Sequence, residues 1–235
     1  MSPSATHFDS PAELRAAIRA GKFTGPTTGQ APGYVQANLV VVPESAADDF
    51  GEFCRQNAQA CPALSQTAPG NPDPGEVAPG ADLRTDVPRY RVYRGGKLES
   101  FEPTDVRRLW RGDLVAFLLG CSFTFESALQ LAGLRVRHID QQRNVPMYRT
   151  SLACRRAGVF AGPLVVSMRP FLAEQVPQVT ALTRRFPSMH GAPVHVGDPA
   201  ALGIADLARP DFGDPVFVGP GEVPVFWACG VTPQL

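Results

Sequence analysis

The sequence predicts a mixed α/β and α+β fold, and three observations carry that reading. Apolar runs of strand length alternate with helix-period segments in the first part of the chain. The middle part orders its elements as helix, strands, helix and short strand, which suggests a small layered α+β unit. The 24 prolines and 22 glycines are scattered between these periodic segments, so they read as turns joining short elements.

The first helix is signalled by Ser10 as cap, Pro11 at the first helical position and Glu13 completing a capping box. Leu14, Ala17 and Ile18 form its apolar stripe, and Gly21 stops it. A Gly- and Thr-rich loop over 25–33 leads into a strand over 36–42, whose LVVV run predicts burial on both faces. Pro43 ends that strand, and Ser45 with Asp48 is expected to cap a second helix carrying Ala46, Phe50, Phe53 and Cys54. Residues 61–80 lack periodicity and read as one long loop. Residues 89–94 and 97–101 alternate around Gly95-Gly96 and predict a hairpin with its arginines on the wet face. Thr104 and Asp105 are expected to start a helix reaching Trp110. Residues 114–119 form a buried element, strand or helix. A helix over 123–132 is ended by Gly133. Strands are then expected at 134–139 and 159–168, a helix at 173–186 and a short strand at 194–196. Asp198-Pro199 reads as a helix start, and strands at 215–218 and 223–228 close the chain.

Composition excludes several classes. With 44% apolar and 19% charged residues over 235 positions, the chain has enough apolar material to bury a core and is no disordered polymer. Basic and acidic residues balance at 22 each, so the basic excess that grips nucleic acid or an anionic membrane is missing, and neither partner is expected. The opening MSPSATHFDSPAEL has no basic-then-apolar leader pattern, and the longest apolar run is too short to cross a bilayer. The five cysteines are odd in number and spread out, matching neither a disulfide framework nor a zinc knuckle. A cytoplasmic location is therefore expected. No GxGxxG or GxxxxGKS pattern occurs, and no cofactor is expected.

Four segments hold the candidate chemistry, all between Gly120 and Cys229. In GCSFTFE, a small-residue turn ahead of a helix presents free N–H groups to an anion and would acidify a thiol, so Cys121 is a candidate nucleophile or acid and Glu126 a base. Cys121 as a small buried hydrophobe, with Ser122 or Thr124 as a plain cap, stays open. In RNVPMYRT, Arg143, Asn144, Tyr148 and Arg149 would clamp a substrate carboxylate, unless the arginines simply pair with surface acids. In HGAPVHVGD, His190 and His195 are candidate proton carriers, and Asp198 either orients one or caps the helix that follows. Its HxxxxH spacing matches no common zinc motif, so no metal is assigned. Cys229, delivered by an apolar strand to a glycine turn, either lines the pocket or is structural.

Taken together, GYVQANLV, FCRQNAQACP, RTDVPRYRVYR, LVAFLLGCSFTFE, RNVPMYRT, GPLVVSMRP, RFPSMHGAPVHVGDPAALGIADL, PDFGDPV and VPVFWACGVTPQ resemble the bacterial putative hydro-lyase family. The same module is similar to the N-terminal part of D-glutamate cyclase. The resemblance implies a carbon–oxygen lyase that eliminates water from a small carboxylic or amino acid. Its cyclase variant would close D-glutamate to 5-oxo-D-proline. It also implies a three-layer α/β main domain, placed at 1–119 and 200–235, with a smaller two-layer α+β unit at 120–199. Family members usually continue past the TPQ motif into a segment with further histidines, whereas this sequence ends at Leu235. A non-catalytic module that binds a small organic acid is the alternative, and a homo-oligomer is compatible with either reading.

Overall fold

The computed structural model describes residues 7–99 and 102–235. The end of the hairpin strand expected at 97–101, and the start of the opening stretch read for a leader, lie outside the described residues.

Helix α1 (Pro11–Arg19) begins as the sequence predicts, with Ser10 Oγ accepting the Glu13 N–H at 3.3 Å. The Glu13 carboxylate closes the box by accepting from the Ser10 hydroxyl rather than from the backbone. Strand β1 (Ala37–Pro43) is followed by α2 (Glu44–Gln56), β2 (Ala63–Gln66), the hairpin strands β3 (Tyr93–Arg94) and β4 (Lys97–Leu98), and β5 (Leu114–Gly120). Three of these form an antiparallel sheet in the order β1-β5-β2. Central β5 is the strand buried on both faces, while β1, at an edge, is only half-buried. Ser45 and Asp48 lie inside α2, which starts at Glu44 without a side-chain cap. The Glu44 N–H is already taken by the Asp113 carbonyl at 2.7 Å, so the sheet satisfies that end of the helix.

Other expectations are corrected by tertiary pairing. The long loop expected at 61–80 contains β2, which the exposed hydrogen-bonding edge of β5 draws into the sheet. No helix forms at 104–110. There the Asp105 carboxylate accepts the Arg107 N–H at 2.9 Å, closing a local turn that competes with a helix. The strand expected at 134–139 is an extended stretch running into the short helix α4 (Arg137–Asp140). Its alternation is real, since Leu134, Val136 and His138 are buried, but it has no strand beside it. The strand expected at 215–218 is absent because guanidiniums of Arg143 and Arg137 occupy the carbonyls of Pro215 and Phe217.

Helix α3 (Phe123–Leu131) follows β5 directly. Strands β6 (Met147–Ala153), β7 (Pro163–Leu172), β8 (His195–Val196) and β9 (Glu222–Ala228) form a second antiparallel sheet in the order β6-β7-β9-β8. Helix α5 (Val176–Thr183) is the shortened form of the helix expected at 173–186, and a 3-10 turn replaces the helix expected after Asp198. Helices and antiparallel sheets thus make a mixed α/β architecture. No helix among the described residues is long and apolar enough to cross a membrane.

The second sheet positions the site. Side chains on a strand alternate between faces, and β7 pairs Ser167 with Trp227 and Arg169 with Val225 on β9. That face carries Ser167, Arg169, Phe171 and Trp227, and α3 and α5 cover it through Phe125, Leu129 and Val179. Tyr148, Met168 and Phe226 fill the opposite face against Leu202 and Ile204. An arginine therefore enters a largely apolar layer, beside Ser167.

Candidate active site

Arg169 is fully buried, and so are the groups that satisfy it. Its Nε donates to Glu126 Oε1 at 3.0 Å, and Nη2 donates both to that oxygen and to Ser122 Oγ, the latter at 2.9 Å. Nη1 donates to Ser167 Oγ at 3.2 Å. The guanidinium also packs 5.4 Å from the ring centres of Phe125 and Trp227, a cation–π arrangement. Ser122 and Glu126 can share one cation because they stand four residues apart at the start of α3, on one helix face.

Glu126 gathers further partners from distant segments. His138, from α4, places Nε2 3.0 Å from Glu126 Oε1, and the Thr28 hydroxyl donates to Oε2 at 2.9 Å. Thr28 Oγ1 also lies 3.1 Å from His138 Nε2. Burial alone would raise the Glu126 carboxyl. The charges and hydrogen bonds of Arg169 and His138 outweigh it and bring the group down to about 2. Glu126 is therefore an anion throughout the neutral range, a counter-charge more than a proton carrier.

Ser122 connects this network to a cleft of about 1580 Å³, whose walls include Asn38, Cys121, Asn144, Cys229 and Gly230. Burial is the main reason that Cys121 is pushed up to about 12 and Cys229 to about 11, so both are neutral thiols at neutral pH.

The remaining sequence candidates make no hydrogen bond to Glu126 or Arg169, although His190 is close enough to feel the Arg169 charge. His190 is buried at the end of a 3-10 turn, with Nδ1 2.8 Å from the Gln59 carbonyl. Burial lowers it to about 4 against the opposing pull of the Gln59 and Gly120 carbonyls, so its ring is neutral. Close packing underlies that position: a Cβ on Gly120 would fall 1.8 Å from the Ser188 carbonyl oxygen. His195 lies on β8 with Nε2 2.8 Å from the Asp198 carbonyl and its ring against Phe226, on the sheet face away from Arg169. The Asp198 carboxylate accepts the Ala200 N–H at 3.0 Å, the capping role. Tyr148 lies on that same far face and donates to the Leu207 carbonyl at 2.8 Å. Arg143 is occupied with Pro215, and Arg149 is an exposed residue of β6 whose N–H is taken by Asp211 at 2.8 Å. Asn144 lines the cleft, as Cys121 does. Of the nine residues selected from sequence, the structure brings Glu126, Cys121 and Asn144 to the network or the cleft it borders.

Arg169, His138, Ser167 and Thr28 were not among the candidates. A signal for Arg169 is present in PLVVSMRPFL, where one ionisable residue interrupts an apolar run. A charge so placed must find a buried partner. His138 and Thr28 carry no comparable signal, because their closeness to Glu126 spans 12 and 98 residues of chain. Among the described residues, no three His, Cys, Asp or Glu side chains converge into a metal-binding group.

A family model described as D-glutamate cyclase matches residues 115–235, the segment that contains Ser122, Glu126, His138 and Arg169. A protein of Rubrobacter xylanophilus, named "Putative hydro-lyase", is 64% identical over 223 residues, covering 95% of this chain and 86% of its own. The chain belongs to the D-glutamate cyclase family. A Stutzerimonas stutzeri relative of the same name is 59% identical, with 96% of this chain and 84% of its own covered. A Bacillus licheniformis relative, also named as a putative hydro-lyase, is 56% identical over 95% and 85%. The family resemblance read from the motifs therefore holds.

Proposed function

We propose that the protein is a carbon–oxygen lyase that removes water from a small carboxylic or amino acid bound in the cleft beside Ser122. The observation that carries this reading is the buried Arg169–Glu126–His138 network, which lies in the family-matching segment and meets the cleft through Ser122. Such a network holds polar groups rigidly in a low-dielectric wall, where a fixed hydrogen-bond donor acts most strongly on developing charge. Glu126 serves as the permanent counter-ion that keeps Arg169 and Ser122 in place. Cys121, protonated at neutral pH and lining the cleft, is the group assigned to give its proton to the departing hydroxyl, and the thiolate left behind takes the proton released from the adjacent carbon, which restores the thiol.

The family description supports D-glutamate closing to 5-oxo-D-proline with loss of water, and the relatives' hydro-lyase names, which specify no substrate, are compatible with a small hydroxy acid. Incubating the protein with D-glutamate and a panel of hydroxy acids, with proton NMR detection of ring or alkene signals, tests the reading directly. Turnover of any of them that falls at least tenfold in Glu126→Gln supports it. Absence of turnover across the panel sinks it.

One observation favours a second reading, a module that binds a small organic acid without converting it. Neither Glu126 nor Cys121 titrates near neutrality, where an efficient proton carrier should. A ligand that raises the melting temperature yet is recovered unchanged would select that reading.

A further inference from the structure

The geometry points to β1 as a docking edge for an extended acidic segment of a partner protein, which adds to the three-stranded sheet as a fourth strand along the cleft. The inference is independent of whether a small acid is turned over beside Ser122.

Strand β1 has the sequence of an interior strand. Its residues 37–43 read ANLVVVP, without a charge, and its register against β5 runs without a bulge. Val40 and Val42 pack into the cluster of Phe50 and Phe53 from α2, while Leu39 and Val41 pack against Leu83 and Trp110 on the other face. The outer edge is what remains uncovered. Two hydrogen bonds fix which groups lie on it. The Cys121 N–H donates to the Gln36 carbonyl at 3.0 Å, and the Glu44 N–H to the Asp113 carbonyl at 2.7 Å. Hydrogen-bonded pairs alternate along an antiparallel ladder, so Asn38, Val40 and Val42 turn their N–H and C=O groups to β5. Ala37, Leu39 and Val41 turn theirs outward, and among the described residues none of those groups has a partner. The whole strand lines the cleft. Native edges are usually blunted by a lysine, a bulge or a proline, and β1 carries only Pro43, at its far end. Such an edge supplies the main-chain bonds by which an extended peptide is bound.

Charge on the cleft wall selects the occupant. Arg89, Arg91, Arg94, Arg108 and Arg111 line the same cleft. Arg94 pairs with Glu99 at 3.0 Å and Arg111 with Asp113 at 2.9 Å, while Arg89 and Arg91 share Glu102 at 3.9 and 3.3 Å. Arg108 is exposed and has no ion pair among the described residues. Asp86, the other acid on the lining, is held by Arg15 and Arg19. Five arginines thus meet three carboxylates, which leaves two positive charges in excess. A second copy pairing through its own β1 would bring the same arginines and set like charges together. Aspartates or glutamates on an added strand relieve them. Side chains alternate along a strand, so the fitting segment carries acids at every second position with apolar residues between.

Amide hydrogen exchange of the whole chain, read by NMR, tests the edge. In the free chain Leu39 and Val41 should exchange fast and Asn38, Val40 and Val42 slowly. A blocked heptapeptide alternating glutamate and valine should slow Leu39 and Val41 by about tenfold or more and leave the other three amides unchanged. A version with proline in place of its valines, which cannot pair as a strand, should give no protection. Arg108→Glu, an exposed change that leaves the fold intact, should weaken the glutamate peptide about threefold to tenfold and strengthen a lysine–valine peptide. The inference is overturned if the glutamate peptide leaves Leu39 and Val41 unprotected, or if the lysine peptide protects them as strongly in the parent chain. Protection that grows with protein concentration alone also overturns it, and assigns the edge to a second copy.

Discussion

Replacing Arg169 by Met tests the central network most sharply. Arg169 is 0% exposed and Glu126 1%, so the substitution leaves a buried carboxylate without its main counter-charge. Loss of one partner of a buried pair costs about 3–5 kcal/mol, because the remaining ion cannot reach water and keeps only His138 and Thr28 as partners. The Met side chain keeps much of the apolar contact with Phe125 and Trp227, so the loss is mainly electrostatic. For a chain of this size, 3–5 kcal/mol corresponds to a fall in melting temperature of roughly 6–20 °C. Urea denaturation at neutral pH measures the change directly. The decisive comparison is the double variant Arg169→Met with Glu126→Leu, which removes both charges. It should be more stable than the sum of the two single losses predicts, by about 1–3 kcal/mol, as expected for groups in direct contact. A single-variant loss below about 1 kcal/mol, or strict additivity in the cycle, would refute the account of Arg169 and Glu126 as a mutually dependent buried pair.

Acid should destabilise the fold in two overlapping steps. His190 is lowered from 6.5 to about 4, so the unfolded chain binds its proton first and stability falls as pH drops from about 6.5 towards 4. Glu126 is lowered from 4.5 to about 2, so its contribution, about 3 kcal/mol, is present above 4.5 and disappears as pH falls towards 2. Melting temperatures across pH 3 to 8 read both, and His190→Gln should flatten the upper step; an unchanged slope between pH 4 and 6.5 contradicts the assignment. Gly120→Ala forces a Cβ to within 1.8 Å of the Ser188 oxygen, and should cost at least about 1–3 kcal/mol by displacing the 188–190 turn. Wild-type stability in that variant would show that the turn yields freely. Brief alkylation of the native protein near neutral pH should label the half-exposed Cys154 before the buried neutral thiols Cys121 and Cys229, as read by peptide mass mapping. First labelling at Cys121 would mean that its thiol is ionised, against the burial argument.

Much of the fold was legible residue by residue where local chemistry decides. Ser10, Pro11 and Gly21 bound α1, the apolar run of β5 marks a buried element while leaving open strand or helix, and Gly95-Gly96 turns a hairpin. The sequence alone also places the chain in its family, through long motifs spread along nearly the whole chain. Tertiary contacts decided the rest. The Pro215 and Phe217 carbonyls go to Arg143 and Arg137 instead of a strand, Glu44 needs no capping side chain because Asp113 satisfies its N–H, and β2 exists because β5 offers it an edge. The site divides in the same way. Glu126 and Cys121 were visible because a small-residue turn before a helix is a local pattern. The grouping of Thr28, His138 and Arg169 around Glu126 was not, since it comes from a loop, a short helix and a strand that meet only after both sheets have packed. A buried charge states in the sequence that it must have a partner, and only the folded chain says which one.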